Sequence, residues 1–237
     1  MRTIEICCGS VAEAKLAHEC GAARVELCSA LALEGITPSI AVVSRTVSEC
    51  AGLQVYVLIR PREGGFVYSH DEITTMIHDI LAVKAVGAHG VVIGALTESG
   101  EIDIEACKRM IVAAKPELSV TFHRAFDVCA NPLKALRTLI GIGCDRVLTS
   151  GQAPSAAEGA ALLRTLVQEA DGKIIVMPGG GINADNIADL QRATGAIEFH
   201  ASARKKPAGY KPSLAAAFAT GPLPTTDPDQ VRRLATE

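Results

Sequence analysis

The stretches Thr3-Ile-Glu-Ile-Cys-Cys8 and Arg24-Val-Glu-Leu-Cys28 repeat one pattern, in which charged or thiol residues alternate with aliphatic ones. Successive side chains of a β-strand point to opposite faces, so each stretch predicts a strand with one polar and one apolar face. Runs at 54–60, 119–124 and 196–200 alternate in a similar way. The interior of a closed barrel can hold all the polar faces, because charges there can pair with one another.

The shared parity predicts a pocket of ionisable side chains at one end of such a barrel. Its expected members are Glu5, Glu26, Arg60, His123, Glu198 and His200. Ionisable groups that perturb one another in a pocket are common at functional sites. We therefore expect the chemistry of the protein to be located there.

Eight strand candidates alternate with helical segments along the chain. The candidates span 3–8, 24–28, 54–60, 90–94, 119–124, 146–150, 173–178 and 196–200, and helical periodicity marks 11–20, 72–86 and 104–115. This alternation indicates parallel βα units, and eight of them in about 200 residues are typical of a (βα)8 TIM barrel. An open doubly wound sheet has a similar element count. However, its edge strands would not bring the polar first and last runs together.

A weak repeat supports the count of eight strands, because a glycine precedes each even-numbered strand. These glycines are Gly21, Gly87, Gly143 and Gly195. Glycine just past a helix end readily adopts the left-handed conformation of a C-cap. We expect one barrel domain over 1–203 and an irregular extension over 204–237 that packs on it. A short helix at 230–236 should close the fold, with Asp227 as its cap and Gln230 as the capping-box partner.

Composition excludes several classes of protein. The chain has 237 residues, 49% of them hydrophobic, and a net charge of −3, so it can bury a large core and shows no basic surface for nucleic acid or membrane. The start MRTIEICC does not resemble a signal peptide, and no apolar run approaches the roughly 18 residues of a membrane span. We expect a cytoplasmic protein whose eight cysteines are reduced thiols.

Active sites of TIM barrels lie at the C-terminal ends of the strands. That rule selects a set that overlaps the predicted pocket: Cys7, Cys8, Cys28, Arg60, Arg62, His123, Arg124, Asp127, Ser150 and His200. Cys7 and Cys28 end the repeated Glu-x-Cys pattern on adjacent strands, which lie about 4.8 Å apart. The two thiols could hold a soft ion such as Cu(I), or both could be small buried hydrophobic residues.

The run Thr121-Phe-His-Arg-Ala-Phe-Asp127 places a histidine, an arginine and a carboxylate at one strand end. It predicts a general acid or base beside an anion-binding arginine, with a structural ion-pair network as the alternative. For an enzyme, the candidate catalytic residues are Glu26, His123, Glu198 and His200. Of these, His123 is expected to exchange protons near neutral pH.

Arginines and glycines supply candidate anion-binding groups. The candidates for substrate binding are Arg60, Arg62, Arg124, Gly179, Gly180 and Gly181. Arginines can clamp a carboxylate or phosphate, and backbone amides of a glycine-rich loop that opens a helix can bind phosphate. The structural alternatives are salt bridges from Arg60 to Glu5 and Glu26, and a tight turn at the glycines. Ser69 and Glu72 predict a capping box for the helix that follows the Arg62 loop.

Several of these motifs resemble the CutC family of copper homeostasis proteins. The matching runs are Glu5-Ile-Cys7, Arg24-Val-Glu-Leu-Cys28, Ile59-Arg-Pro-Arg62, Thr121-Phe-His-Arg-Ala-Phe-Asp127, Leu148-Thr-Ser-Gly-Gln152, Met177-Pro-Gly-Gly-Gly-Ile182 and Glu198-Phe-His-Ala-Ser202. The resemblance implies a (βα)8 barrel, a cytoplasmic homo-oligomer and Cu(I) binding, and the family's copper cysteines correspond to Cys7 and Cys28. One loop departs from the family's Arg-Gly-Gly-Asp-Phe, since this chain has Arg62-Glu-Gly-Gly-Phe66 with its acid at Glu63.

Two functions therefore stay open. One is copper homeostasis, with a copper ion as the partner of Cys7 and Cys28. The other is an enzyme that acts on a small phosphorylated or carboxylated metabolite, since a copper carrier has no need of the converging Arg60, His123, Glu198 and His200. A purely structural role is disfavoured by the polar mouth of the barrel.

Overall fold

The computed structural model describes residues 2–205 and 224–236, in which parallel strands alternate with helices. The barrel strands are β1 (Thr3–Cys8), β2 (Arg24–Leu27), β3 (Gln54–Leu58), β4 (Gly90–Ile93), β5 (Ser119–Phe122), β6 (Arg146–Thr149), β7 (Ile175–Pro178) and β8 (Glu198–Ala201). The helices are α1 (Val11–Glu19), α2 (Ile40–Glu49), α3 (His70–Ala85), α4 (Ile104–Ala114), α5 (Pro132–Ile142), α6 (Ala160–Ala170), α7 (Ile187–Thr194) and α8 (Pro228–Thr236).

The eight strands form one sheet that curls into a nearly closed barrel. From β1 to β7 each strand pairs in parallel with the next along the chain, and β1 also pairs with β8. A further bridge joins Gly179, just after β7, to His200 of β8. The (βα)8 TIM barrel is thus confirmed, and the first and last polar runs are neighbours, as their common pattern required.

The apolar face of each strand packs against the surrounding helices. Ile4 and Ile6 of β1 and Val25 and Leu27 of β2 are fully or almost fully buried in that layer. Ile197 was expected to join them, but it precedes β8 and 59% of its surface is exposed. The final strand starts two residues later than predicted, so its alternation begins at Glu198.

Local signals in the sequence correctly located several helix ends. Positive φ angles occur at all four predicted glycines, Gly21, Gly87, Gly143 and Gly195. These angles are easily reached only without a Cβ atom, and they turn the chain from a helix into the next strand. The predicted capping box of α3 also forms, because Ser69 and Glu72 exchange side-chain and backbone hydrogen bonds.

The C-terminal part packs against α1 and β1. β9 (Arg204–Lys205) pairs in antiparallel fashion with β10 (Thr225–Thr226), and α8 buries Val231 and Leu234. Asp227 caps α8 by accepting from the Asp229 amide, but the predicted capping box is wrong, because Gln230 Oε1 has no partner among the described residues.

Residues 206–223 of the predicted extension lie outside the described residues. Within the described ranges, no helix combines the length and apolar character needed to cross a membrane.

Candidate functional site

The barrel interior contains a buried charge cluster, formed by Glu5, Arg24, Arg146 and Glu198. Arg24 Nε donates to Glu5 Oε2 at 2.5 Å, and its Nη2 donates to Glu198 Oε2 at 2.6 Å. Arg146 Nε donates to the same Glu198 oxygen at 2.6 Å. The Tyr56 ring lies beside both guanidinium groups, with its centroid 4.9 Å from the Cζ of Arg24 and 5.4 Å from that of Arg146. Each buried carboxylate therefore has a cationic partner, which burial requires.

These contacts keep both carboxylates ionised. Burial alone would raise the pKa of Glu5, but hydrogen bonds and charges from His200 and Arg24 lower it to about 2. The pKa of Glu198 is likewise lowered by Arg146 and Arg24 despite its burial. Glu198 therefore serves as a fixed counter-charge, which does not fit the proton transfer expected of it as a catalytic candidate.

A thiol cluster lies one step further toward the C-terminal ends of the strands. It consists of Cys7, Glu26, Cys28 and His200. The Sγ atoms of Cys7 and Cys28 are 3.9 Å apart, and ligand atoms of Cys7, Glu26 and His200 all lie within 4.8 Å of one another. His200 Nδ1 is 2.8 Å from Glu5 Oε1, so the charge cluster orients the imidazole ring. Cys7 lies on β1, Glu26 on β2 and His200 on β8, and Cys28 directly follows β2. The three strands are adjacent in the sheet.

The four groups of the thiol cluster differ in their charge. A hydrogen bond from Cys28 is the main cause that lowers the pKa of Cys7 to about 5, against the effect of burial, and it raises the pKa of Cys28 well above its usual value. Although burial opposes it, hydrogen bonds to Cys7 and Glu5 raise the pKa of His200 well above its usual value. These directions favour a Cys7 thiolate beside a His200 imidazolium, with Cys28 as a thiol.

Burial raises the pKa of Glu26 to about 8 from an unperturbed value of 4.5. Between these values the folded chain binds a proton that the unfolded chain lacks, so this group's contribution to stability falls as pH rises. We expect Glu26→Gln to lose less stability than the wild type between about pH 5 and pH 8. Thermal unfolding across that range measures it, with Glu63→Gln, at an exposed position, as the control. Parallel pH profiles for wild type and Glu26→Gln would contradict the assignment.

His123 lies across the barrel from the thiols, at the end of β5. Its Nδ1 accepts from the Ala125 amide at 3.0 Å, and only 6% of the residue is exposed. Burial, together with the charge of Arg60, lowers the pKa of His123 to about 3. The ring is therefore neutral with its proton on Nε2, so the predicted exchange of protons near neutral pH is wrong.

The arginines predicted to bind substrate have different positions. Arg60 is buried beside the cavity, but it donates to the carbonyl oxygens of Leu33, Gly35 and Gly64. Among the described residues it forms no salt bridge with Glu5 or Glu26, so the structural alternative given for Arg60 is wrong. Arg62 lies away from the cavity, because its guanidinium pairs with Glu72 and lies over the Tyr68 ring.

The run that contains His123 continues as a hydrogen-bonded loop. Arg124 Nε donates to Asp127 at 2.7 Å, and Arg124 Nη2 donates to Ser150 Oγ at 3.1 Å. Asp127 also accepts from the Ser150 amide at 3.0 Å. This is the ion-pair network foreseen as the alternative for this run, and it holds Arg124 at the rim with 47% of its side chain exposed.

The glycine-rich loop follows β7 as predicted, but it does not open a helix. α7 begins only at Ile187, so Gly179, Gly180 and Gly181 do not present a helix N-terminus. Gly180 and Gly181 line the cavity with φ angles of +102° and +73°, which suit glycine. A Cβ at Gly180 would lie 3.7 Å from Arg124 Nη1, so the loop and this arginine form one rim.

These groups share one cavity of about 520 Å³ at the C-terminal ends of the strands. Its lining combines the thiol cluster, Arg60, His123, Arg124, Asp127, Gly180 and Gly181 with the apolar side chains of Leu31, Leu58, Phe66, Val128 and Leu148. Cys8 faces the helix layer instead, as the alternation along β1 predicts. The predicted pocket therefore assembles in part, while Glu5 and Glu198 lie beneath it.

The sequence interpretation missed Arg24 and Arg146, the cations of the charge cluster. Both stand at the N-terminal ends of their strands, whereas the rule for active sites of TIM barrels selects residues at the C-terminal ends. A signal was present, because Arg24 shares strand parity with Glu26 and Cys28. Two inward acids on neighbouring strands also require buried cations, and an inward arginine on β2 is one source.

Comparison with known proteins matches these motifs to one family. The model of the CutC family matches residues 2–205. The chain belongs to the CutC family. It is 48% identical over 201 residues to the human copper homeostasis protein cutC homolog. This match covers 85% of this chain and 73% of the human protein. The CutC family protein of Histophilus somni is also 48% identical over 201 residues, covering 85% of this chain and 82% of that protein.

Solved structures agree with the barrel. The crystal structure of CutC from Streptococcus agalactiae has a TM-score of 0.80 and 32% identity, and the match covers 85% of this chain and 99% of that one. Phosphoribosyl anthranilate isomerase from Thermotoga maritima has a TM-score of 0.61 with 13% identity over 98% of this chain and 96% of that one. The second likeness shows the fold alone.

Proposed function

We propose that this copper homeostasis family member binds one Cu(I) ion between Cys7 and Cys28. The observation that carries the proposal is the 3.9 Å separation of their sulfur atoms. Metal–thiolate bonds in zinc sites are about 2.3 Å long, so two sulfur atoms that bind the same ion can be up to about 4.6 Å apart. One ion can therefore bridge the two side chains without a change in the backbone.

The chemistry of the donors supports Cu(I) over harder ions. Thiolates are soft ligands that favour Cu(I), whereas calcium and magnesium prefer oxygen. Cys7 is already ionised near neutral pH, with a pKa of about 5. Two thiolates around one Cu(I) carry a net negative charge, and the His200 imidazolium lies within reach to balance it. His200 and Glu26 are also near enough to act as further ligands.

Titration of the reduced protein with Cu(I) in anaerobic buffer, against a chromophoric chelator, tests the proposal. We expect one tight site per chain and an X-ray absorption spectrum with two sulfur ligands. The Cys28 thiol, whose pKa is well above its usual value, must lose its proton on binding. The affinity should therefore rise roughly tenfold per pH unit near neutrality. An absence of sulfur ligation, or an affinity that falls as pH rises, would refute this site.

Catalysis on a small carboxylated or phosphorylated metabolite is the second candidate function. The cavity volume of about 520 Å³ favours it, because a single ion needs far less space. Glu26, whose pKa of about 8 lies near neutrality, is the group best suited to transfer a proton there. A cytoplasmic location and a homo-oligomeric state complete the proposal and stay predictions.

A further inference from the structure

Two buried donors of cavity-lining residues, His123 Nε2 and Arg60 Nε, have no partner within the described part of the chain. His123 Nε2 makes no hydrogen bond, although only 6% of the residue's surface is exposed. Its Nδ1 is occupied by the Ala125 amide, so the proton resides on Nε2. A buried donor without an acceptor has given up its hydrogen bond to water for nothing in return, and such groups in native proteins call for an explanation.

The fold builds a specific place for this ring. A Cβ atom added to Gly94 would lie 2.2 Å from His123 Cε1, so only glycine leaves room for the imidazole. On its other side the Phe66 ring lies 5.0 Å away, centroid to centroid. The ring is therefore held firmly in the lining of the cavity, and its Nε2 atom has almost no exposed surface. A preorganised donor of this kind is a feature of ligand sites.

The surroundings of His123 combine two arginines with apolar surface, and the acids Glu34 and Asp127 also line the cavity. Arg60, Arg124, Phe66 and Val128 line the cavity together with His123, and we call these five residues the anion wall. The Nη atoms of Arg60 donate hydrogen bonds to backbone carbonyl oxygens, so its positive charge has no carboxylate partner there. Asp127 is engaged by Arg124, Thr149 and Ser150. Phe66 and Val128 add apolar surface to the lining. This combination suits an organic molecule with a negatively charged oxygen.

We propose that this wall of the cavity binds a small organic anion, one oxygen of which accepts the hydrogen bond from His123 Nε2. Arg124 supplies a further donor and positive charge at the rim, and Phe66 contacts the organic part. β5 is four strands from β1 in the barrel order, so this anion wall lies across the cavity from the thiol cluster. The proposal does not depend on copper, because it uses none of the thiol-cluster residues.

The test uses copper-free protein labelled with ¹⁵N-histidine, under reducing conditions. Inorganic phosphate and malonate are the probes, and sodium chloride at equal ionic strength is the control. We expect the His123 Nε2–H resonance to shift to saturation with at least one probe and not with chloride. The probe that binds more tightly distinguishes a phosphate from a carboxylate. If neither probe produces a saturable shift in the wild type, the proposal is wrong.

Two variants of His123 separate the donor from the rest of the ring. His123→Gln places an amide N–H near the position of Nε2, whereas His123→Asn places its polar group near Nδ1. We expect His123→Asn to bind the probe about 10- to 100-fold more weakly, as for loss of a hydrogen bond to a charged group, and His123→Gln to retain most of the affinity. Equal losses in both variants would overturn the role of the donor.

Two arginine substitutions keep the proposal testable if a His123 variant fails to fold. Arg124→Gln removes the rim cation, while Arg137→Gln removes an exposed arginine of α5 that pairs with Glu169. Both change the net charge equally. We expect weaker probe binding in Arg124→Gln and wild-type binding in Arg137→Gln. The same affinity in these two variants would mean that general charge attraction, not this wall, holds the probe.

Discussion

Cys28→Ser is expected to lower the affinity for Cu(I) by more than about 100-fold. Changes in the outer shell of a metal site already cost about 10- to 100-fold, and this change removes a direct ligand. A serine hydroxyl is a hard donor that stays protonated near neutral pH, so Cu(I) would keep only the Cys7 thiolate. Competition with a chromophoric chelator in anaerobic buffer measures the affinity, and Cys7→Ser should show a loss of similar size.

Cys8→Ala provides the matched control, because Cys8 is next to Cys7 on β1 but packs into the helix layer. We expect it to bind Cu(I) as the wild type does. Cys107→Ser is a second control, since that thiol is buried in α4. If all four variants bind equally, the two mouth cysteines are not the site. If all four lose affinity equally, binding follows total thiol content instead of geometry.

The barrel was predictable because its signals are local and repeated. The period-two alternation of β1 and β2 reports which side chains face inward without any knowledge of the partners of each strand. A glycine before every second strand marks a helix end through its backbone conformation alone. The predicted bounds of the strands were less accurate, as Ile197 before β8 shows. Where a strand starts and ends depends on the extent of the neighbouring strand with which it forms hydrogen bonds.

The sequence could predict which residues belong to the candidate site, but not their contacts or charge states. Cys7, Glu26, Cys28 and His200 share an inward parity, and the barrel then brings them together. The partners of Arg60 could not be foreseen, because they are carbonyl oxygens of the loops after β2 and β3. The neutral state of His123 depends on burial by residues distant in sequence, such as Gly94 and Phe66. Such environments follow from tertiary packing and not from local pattern.

Arg24→Met is expected to destabilise the protein by about 3–5 kcal/mol, the cost typical of removing one partner from a buried ion pair. Arg24 is 2% exposed and is the only cation among the described residues that bridges Glu5 and Glu198. Methionine fills much of the volume, but both carboxylates lose a charge-assisted hydrogen bond that water cannot replace. Urea unfolding measures the loss as a shift of the midpoint at constant slope.

A second substitution shows whether charge is the cause. Arg24→Met with Glu5→Gln removes the carboxylate that has lost its arginine and keeps only His200 as a partner, so part of the lost stability should return. Arg137→Met is the control, because that arginine is 64% exposed in its pair with Glu169 and should matter by no more than about 0.5 kcal/mol. If Arg24→Met costs no more than the control, or if Glu5→Gln worsens it additively, the cluster does not act through buried charge. The rescue would instead show that Arg24 of β2 shares with His200 the role of counter-charge to Glu5, the carboxylate that orients His200 beside the thiols.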